Sequence, residues 1–402
     1  MRKISLLLLI VIIAAGCRQE SFEEKLNRIH DEALTIDSHT DTPLWFTRSD
    51  FDLNTAHDPY ETRSRVDFPR MQEGGLDAVF FAAFVGQGER NPLANLEAKK
   101  RVLQIIDSIY ANVDRYPETA IIAKEPQDVT QSEKEGKRIV YIGMENGYPI
   151  GTEIENLDLF YEKGVRYITL CHTGNNDICD SSTDTTEHNG LSDFGEKVVK
   201  RMNELGMIID VTHISDSSFY DVVELTEAPV IASHSCARAV YDHVRNLNDD
   251  MLLKLKKNGG VIQMCLYTDY VKEPDPQPER DSAYQALRVK YDHFKDLTDE
   301  QYRQARIEWR EIDKTYPRKL ATVADLVDHI DHVVELIGVD YVGIGSDFDG
   351  GGGLKDCYDV SEMKNITSEL LKRGYTEEKV KKIWGGNLMR VFKEVRQQAK
   401  QI

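Results

Sequence analysis

His39 and Asp41 stand one residue apart in Thr35-Ile-Asp-Ser-His-Thr-Asp-Thr-Pro43. Alternate residues after a strand can face one cavity, so this imidazole and carboxylate can share a metal ion. Alone, the H-x-D pattern is weak. Glu145 lies in Gly143-Met-Glu-Asn-Gly147, where glycines permit close backbone approach or unusual dihedrals. A carboxylate there can bridge two ions, or simply face solvent in a turn. His213 and His234 each finish an apolar run, on what read as consecutive strands. A lone strand-end histidine is more often structural, yet neutral imidazole is also a common zinc ligand. Together these residues supply three imidazoles and two carboxylates. That set is enough for two zinc ions if Glu145 bridges them, with manganese, cobalt or iron as alternatives.

Hydrolysis at such a centre also needs a proton shuttle, an oxyanion stabiliser and a substrate anchor. Asp347 is the candidate shuttle, with Asp349, two residues on, as its rival. His172 ends another apolar run and can stabilise an oxyanion. Arg245 can offer a bidentate fork to a substrate carboxylate, or form an ordinary surface ion pair. His329 and His332 have a helical spacing of three, but a helix on the outside of the fold would carry them away from the strand ends. The remaining histidines, at 30, 57, 188, 243 and 293, have no such chemical context.

These side chains need strands to deliver them. Six short apolar runs each end in His, Asp or Glu, at His39 with Asp41, Glu145, His172, His213, His234 and Asp347. Eight strands are predicted, at 34–38, 76–84, 138–144, 165–171, 207–213, 228–234, 260–266 and 341–347. Most are continuous apolar runs, as expected for parallel strands buried on both faces. Helical patterns at 22–34, 95–113, 192–205, 216–226, 248–257 and 322–337 separate them, with Ser192 and Asn248 as caps and Gly206, Gly259 and Gly338 as stops. Further helices are expected from 376 and around 388–398. Eight strands with intervening helices predict an α/β chain folded as a (β/α)8 barrel, whose chemistry gathers at the C-terminal strand ends. The highly charged 270–320 segment reads as a helical insertion after the seventh strand, over the site or at an oligomer interface. The runs 76–84 and 260–266 lack a polar ending and are expected to serve the core alone.

With 402 residues the chain can bury a large core. Its net charge of -19, with no basic cluster beyond the extreme N-terminus, argues against nucleic acid. Arg2 and Lys3 precede an apolar stretch at 4–15, too short to span a membrane, that runs into Ala14-Ala15-Gly16-Cys17. The pattern resembles a bacterial lipobox. Residues 1–16 are then a lipoprotein signal peptide, Cys17 is lipidated, 17–33 form a tether and N-terminal helix, and 34–402 form a single catalytic domain. Arg18 favours the outer membrane in a cell that has one. The five other cysteines, an odd number without a C-x-x-C pair, read as buried apolar residues.

Several motifs, in order, resemble the membrane dipeptidase (renal dipeptidase) family over about residues 30–395. They are the 35–43 and 143–147 segments, Tyr167-Ile-Thr-Leu-Cys-His-Thr-Gly-Asn-Asn176, Leu191-Ser-Asp-Phe-Gly195 and Ile209-Asp-Val-Thr-His-Ile-Ser215. Ala228-Pro-Val-Ile-Ala-Ser-His-Ser235, Arg245-Asn246, Val342-Gly-Ile-Gly-Ser-Asp-Phe-Asp-Gly350 and Ile383-Trp-Gly-Gly-Asn387 continue the match. The resemblance implies a metal-dependent amidohydrolase barrel holding two Zn2+ per chain. His39 and Asp41 would bind one ion and His213 and His234 the other, with Glu145 between them. His172 and Arg245 would contact a dipeptide, and Asp347 would contact it and handle the proton. The implied reaction is attack by a metal-bridging hydroxide, with a D-residue tolerated on the C-terminal side. Hydrolysis of another small amide or lactone, and peptide binding without catalysis, are the rival readings. The chain departs from the animal enzymes in its N-terminal anchor, and a homodimer is left open.

Overall fold

Strand β1 (Ile36–Thr40) pairs in parallel with β2 (Ala78–Phe84), and β2 pairs with β4 (Arg138–Glu145). β5 (Val165–Thr169), β6 (Ile208–Asp210), β7 (Ile231–Ser235), β8 (Val261–Met264) and β9 (Val342–Ile344) follow in chain order, every neighbour parallel. A short strand that sequence reasoning missed, β3 (Ala120–Ile122), pairs beside the start of β4. The computed structural model describes residues 20–46, 51–129, 135–294 and 297–399. The expected signal segment and Cys17 lie outside them.

The barrel nearly closes where β1 meets β9. The Asp41 N–H donates to the Phe348 carbonyl at 2.8 Å, and the Asp347 N–H donates to the His39 carbonyl at 3.0 Å. The Asp37 carboxylate, fully buried, accepts from the Ser346 N–H at 2.8 Å and ties the same two elements. The expected (β/α)8 barrel is therefore the observed architecture. Most of its strands are shorter than the apolar runs that announced them, β1 and β4 excepted. Within 207–213 only Ile208–Asp210 is strand, and within 341–347 only Val342–Ile344. His213 (φ 72°) and Asp347 (φ 58°) have left-handed backbones, which no strand can continue.

Period-two alternation splits the buried side chains into two layers. Val79, Phe81, Val140, Ile142, Ile168 and Ile262 face the surrounding helices. Phe80, Ile139, Tyr141, Tyr167, Ile208 and Val261 face inward, where the helix Asn387–Gln398 closes over them with Leu388, Val391 and Phe392. The two expected C-terminal helices form one bent run, because Glu377–Lys381 passes through a π turn, Lys382–Gly386, into Asn387–Gln398.

The outer helices start and stop where their caps predict. Ser192 accepts from the Gly195 N–H ahead of Asp193–Leu205, and Asn248 accepts from the Met251 N–H ahead of Asp249–Asn258. Between β8 and β9 the chain leaves the barrel as two helices, Pro278–Lys290 and Asp299–Thr315. Leu287, Tyr291 and Ala305 give this insertion a small core of its own. His329 accepts from the Ala237 N–H and donates to the Val271 carbonyl, so both its nitrogens are used in packing its helix. His332 pairs with Asp249. The cysteines at 171, 179, 236, 265 and 357 are buried and free.

Candidate active site

Glu145 is the last residue of β4, and its carboxylate lies at the centre of the strand ends. Its Oε2 is 3.7 Å from His39 Nε2. Its Oε1 is 3.1 Å from His213 Nε2, 3.6 Å from His234 Nε2 and 3.7 Å from His172 Nε2. The two oxygens thus face different imidazoles. His39 Nε2 also lies 3.7 Å from Asp41 Oδ2, and His213 Nε2 lies 3.1 Å from His234 Nε2. Three overlapping groups have ligand atoms within 4.8 Å of one another: His39, Glu145 and His234; Glu145, His172 and His213; and His39, Asp41 and Asp347. Every residue expected in the site is in it or beside it. His172 Nε2 stands as close to Glu145 as His39 Nε2 does, at 3.7 Å, so it belongs with the candidate metal donors as well as with the expected substrate contacts.

The site suits cations. His39 Nε2 and Asp41 Oδ1 are buried atoms without a hydrogen-bond partner, and both present lone pairs or a titratable nitrogen. Burial, then the Asp41 charge, pushes Glu145 well above the usual carboxylate range. The same two causes push Asp347 up to about 8. Burial holds His213 and His234 well below the ordinary imidazole value, aided by the nearby Arg245. Burial also disfavours a charged His39, but Glu145, Asp41 and Asp347 together outweigh it and raise that imidazole to about 10. Such crowding of buried carboxylates with neutral imidazoles is relieved by divalent cations, so the donor set fits a metal centre.

A second layer of residues orients these donors, and sequence reasoning missed it. His39 Nδ1 meets the Tyr167 hydroxyl at 2.7 Å. That ring fits because residue 143 is glycine: a Cβ there would lie 2.1 Å from it. His234 Nδ1 lies 2.9 Å from Ser233 Oγ, which donates to Asp210 Oδ2 at 2.7 Å. Outer partners of this kind fix tautomer and ring direction. Four non-glycine residues around the site, Asn146, His213, Asp347 and Asp349, have φ between 58° and 77°. Each such conformation costs about 1–3 kcal/mol, and they cluster where function constrains the backbone.

Asp347 and Asp349 separate clearly. The Asp347 carbonyl accepts from the N–H groups of Gly350, Gly351 and Gly352 at 3.2, 3.1 and 2.7 Å, folding the loop tightly. A Cβ at Gly350 would lie 2.0 Å from Asp41 Oδ2 and 2.2 Å from Asp347 Oδ1. The Asp349 carboxylate is instead occupied, accepting from Thr42 Oγ1 at 2.9 Å and the Arg65 N–H at 2.8 Å. Arg245 is 4% exposed, and no carboxylate pairs with it among the described residues. Its guanidinium lies 5.1 Å from the centre of the Tyr270 ring, and its Nε has no partner. The two strands expected to serve only the core also reach the site. Phe84 of β2 packs edge-on to the His172 ring at 4.8 Å, and Cys265, just past β8, lies 3.9 Å from Asp347 Oδ2.

A family profile described as membrane dipeptidase, peptidase family M19, matches residues 23–402. This chain belongs to the membrane dipeptidase family. It is 31% identical to dipeptidase aclJ of Aspergillus oryzae, across 97% of this chain and 84% of that protein. The crystal structure of the probable dipeptidase PvdM of Pseudomonas aeruginosa superposes with a TM-score of 0.79 at 30% identity, covering 94% of this chain and 99% of that one. A metallopeptidase of Rhodobacter sphaeroides, solved with a phosphinate mimic of L-Ala-D-Ala, shares the fold at 21% identity and a TM-score of 0.71, over 90% and 99% of the two chains. The chain is accordingly a dipeptidase of a metallopeptidase family, and the central donors are its metal-binding candidates.

Proposed function

We propose that this membrane dipeptidase uses two zinc ions to hydrolyse dipeptides, including some with a C-terminal D-residue. The observation that carries the reading is the division of Glu145: Oε2 faces His39, with Asp41 behind it, and Oε1 faces His213 and His234. His39 and Asp41 would hold one ion, His213 and His234 the other, with Glu145 shared. When bound, the two ions supply an activated water and polarise the scissile carbonyl.

The chain's own residues do the rest. Arg245, buried without an acidic partner, holds the substrate's C-terminal carboxylate, and this selects short peptides with a free C-terminus. Burial and Arg245 lower His172 to about 4, so it is a neutral imidazole at the edge of the pocket. It donates a hydrogen bond to the oxygen that gains charge. Asp347 is raised to about 8 by burial and the Asp41 charge while no cation is bound; bound cations would favour its ionised form, in which it accepts the proton lost by water and returns it to the leaving amine.

We also propose a lipid on Cys17 that holds the enzyme at the cell envelope, facing the periplasm or at the outer membrane. No helix among the described residues is long and apolar enough to cross a membrane, and a lipid needs none. The test is a dipeptide panel, L-Ala-D-Ala included, on the zinc-loaded protein, together with mass analysis of Cys17→Ser and wild type from membranes. Hydrolysis and a lipid mass missing from the variant are expected. A panel that zinc, cobalt and manganese all fail to activate would refute the catalytic part.

A further inference from the structure

Near the catalytic residues lies a cleft of about 810 Å³. Its walls come from the β1–β2 connection at 59–65, the insertion, and the loop after β9. All three follow the C-terminal ends of strands, so the cleft opens on the catalytic face. Tyr267 joins the cleft to the catalytic residues. Its ring meets Tyr270 at 4.7 Å, and Tyr270 lies beside Arg245. Arg65, on the opposite wall, uses its backbone N–H to hold Asp349, two residues from Asp347.

The lining contradicts the charge of the chain. Against a net charge of -19, the cleft is lined by eight cationic and five acidic side chains. Four of the acids are already taken: Glu61 by Arg310, Asp269 by Arg318, Asp313 by Arg280 and Asp275 by Lys319. Arg63 and Arg65 have no acidic partner among the described residues. They lie on aromatic rings instead, Arg63 at 3.7 Å from the Trp309 ring centre and Arg65 at 4.3 Å from that of Tyr358. Buried donors there lack acceptors as well: Arg65 Nη1 and Trp309 Nε1 have no hydrogen-bond partner. Two flat, fixed guanidinium groups with free donors make a receptor for an anion, most directly a carboxylate.

We propose that this cleft is a specificity subsite that takes a carboxylate-bearing side arm of the dipeptide, gripped by Arg63 and Arg65. The inference rests on the dipeptidase reading for its choice of probe. The probes are dipeptides carrying a succinylated lysine at either position, each compared with its uncharged succinamide twin. With zinc-loaded wild type, KM for the charged probe at one position is expected to be about tenfold lower than for its twin, a difference typical of one charge-assisted contact. Arg63→Gln with Arg65→Gln should abolish the difference in KM between the twins, while any change in kcat is the same for both. Arg63→Lys with Arg65→Lys, which keeps both charges, should retain part of it and controls for folding.

Equal KM for both twins at both positions, or a charge preference that survives the double Gln variant, overturns the subsite. Calorimetric binding of the same twins separates this outcome from failure of the dipeptidase reading. If neither twin is hydrolysed, charge-dependent binding that the double Gln variant loses still supports the cleft, and charge-independent binding overturns it.

Discussion

Tyr167→Phe probes the layer behind the metal centre with the removal of one oxygen. The phenol lies 2.7 Å from His39 Nδ1, both residues are fully buried, and the ring is pressed against Gly143. Phenylalanine keeps that packing. Because Nε2 is the atom facing Asp41 and Glu145, Nδ1 carries the proton when His39 acts as a ligand, and it donates to the phenol oxygen. Without that acceptor a buried N–H is left unpaired, at a cost of about 1–3 kcal/mol. His39 also loses the contact that fixes its ring, which typically weakens metal affinity by about 10–100-fold. In zinc-buffered activity titrations the half-activating free zinc should rise by about that factor, with kcat at saturating zinc close to wild type. A chelator-competition titration should show the same shift in one of two sites. An unchanged zinc midpoint, or a loss of kcat that zinc does not restore, would show that Tyr167 does not act through His39.

Three further outcomes follow from the geometry. Asp347→Asn should keep both metals yet lose about 10²–10⁴ in kcat, the range for a positioned acid–base group. Asp349→Asn should retain turnover but lose about 1–3 kcal/mol in denaturant unfolding, because the amide keeps one acceptor oxygen and turns the other into a donor, so that one of the bonds from Thr42 Oγ1 and the Arg65 N–H is lost; a reversed pattern would exchange their roles. Arg245→Ala should raise KM about 10–100-fold for dipeptides but not for their C-terminal amides, which a role confined to packing would not discriminate. The metal-free site holds protons through neutral pH, since Asp347 is raised to about 8 and His39 to about 10. A raised value means that a cation must displace a proton, so zinc affinity should climb between pH 6 and 8 by up to about tenfold per unit for each proton released. Calorimetry in buffers of different ionisation enthalpy counts those protons, and a pH-independent affinity with no release contradicts the assignment.

The barrel was legible because buried parallel strands write continuous apolar runs, and the donors were legible because each run ended in one. The runs overstated the strands at 207–213 and 341–347, where left-handed His213 and Asp347 turn the chain away; the side chains alone do not encode that turn. Short β3 was missed because three residues carry no period. Cys265 and Phe84 were assigned to the core because apolar residues at strand ends look the same whether they pack against helices or against a catalytic acid. Tyr167, Ser233 and Asp210 act through partners distant in sequence. The small residue at 143, opposite an aromatic on the neighbouring strand, was the one signal available for Tyr167. Asp349 and Asp347 are indistinguishable by spacing, and only their hydrogen bonds tell them apart.

The central claim is that Glu145 divides two zinc ions between His39 with Asp41 and His213 with His234. Anomalous diffraction at the zinc edge, on crystals of the zinc-loaded protein, tests it most directly. Two peaks are predicted, one beside each Glu145 oxygen, with zinc analysis giving two ions per chain. A single peak, or two peaks with Glu145 ligating only one, would contradict the account.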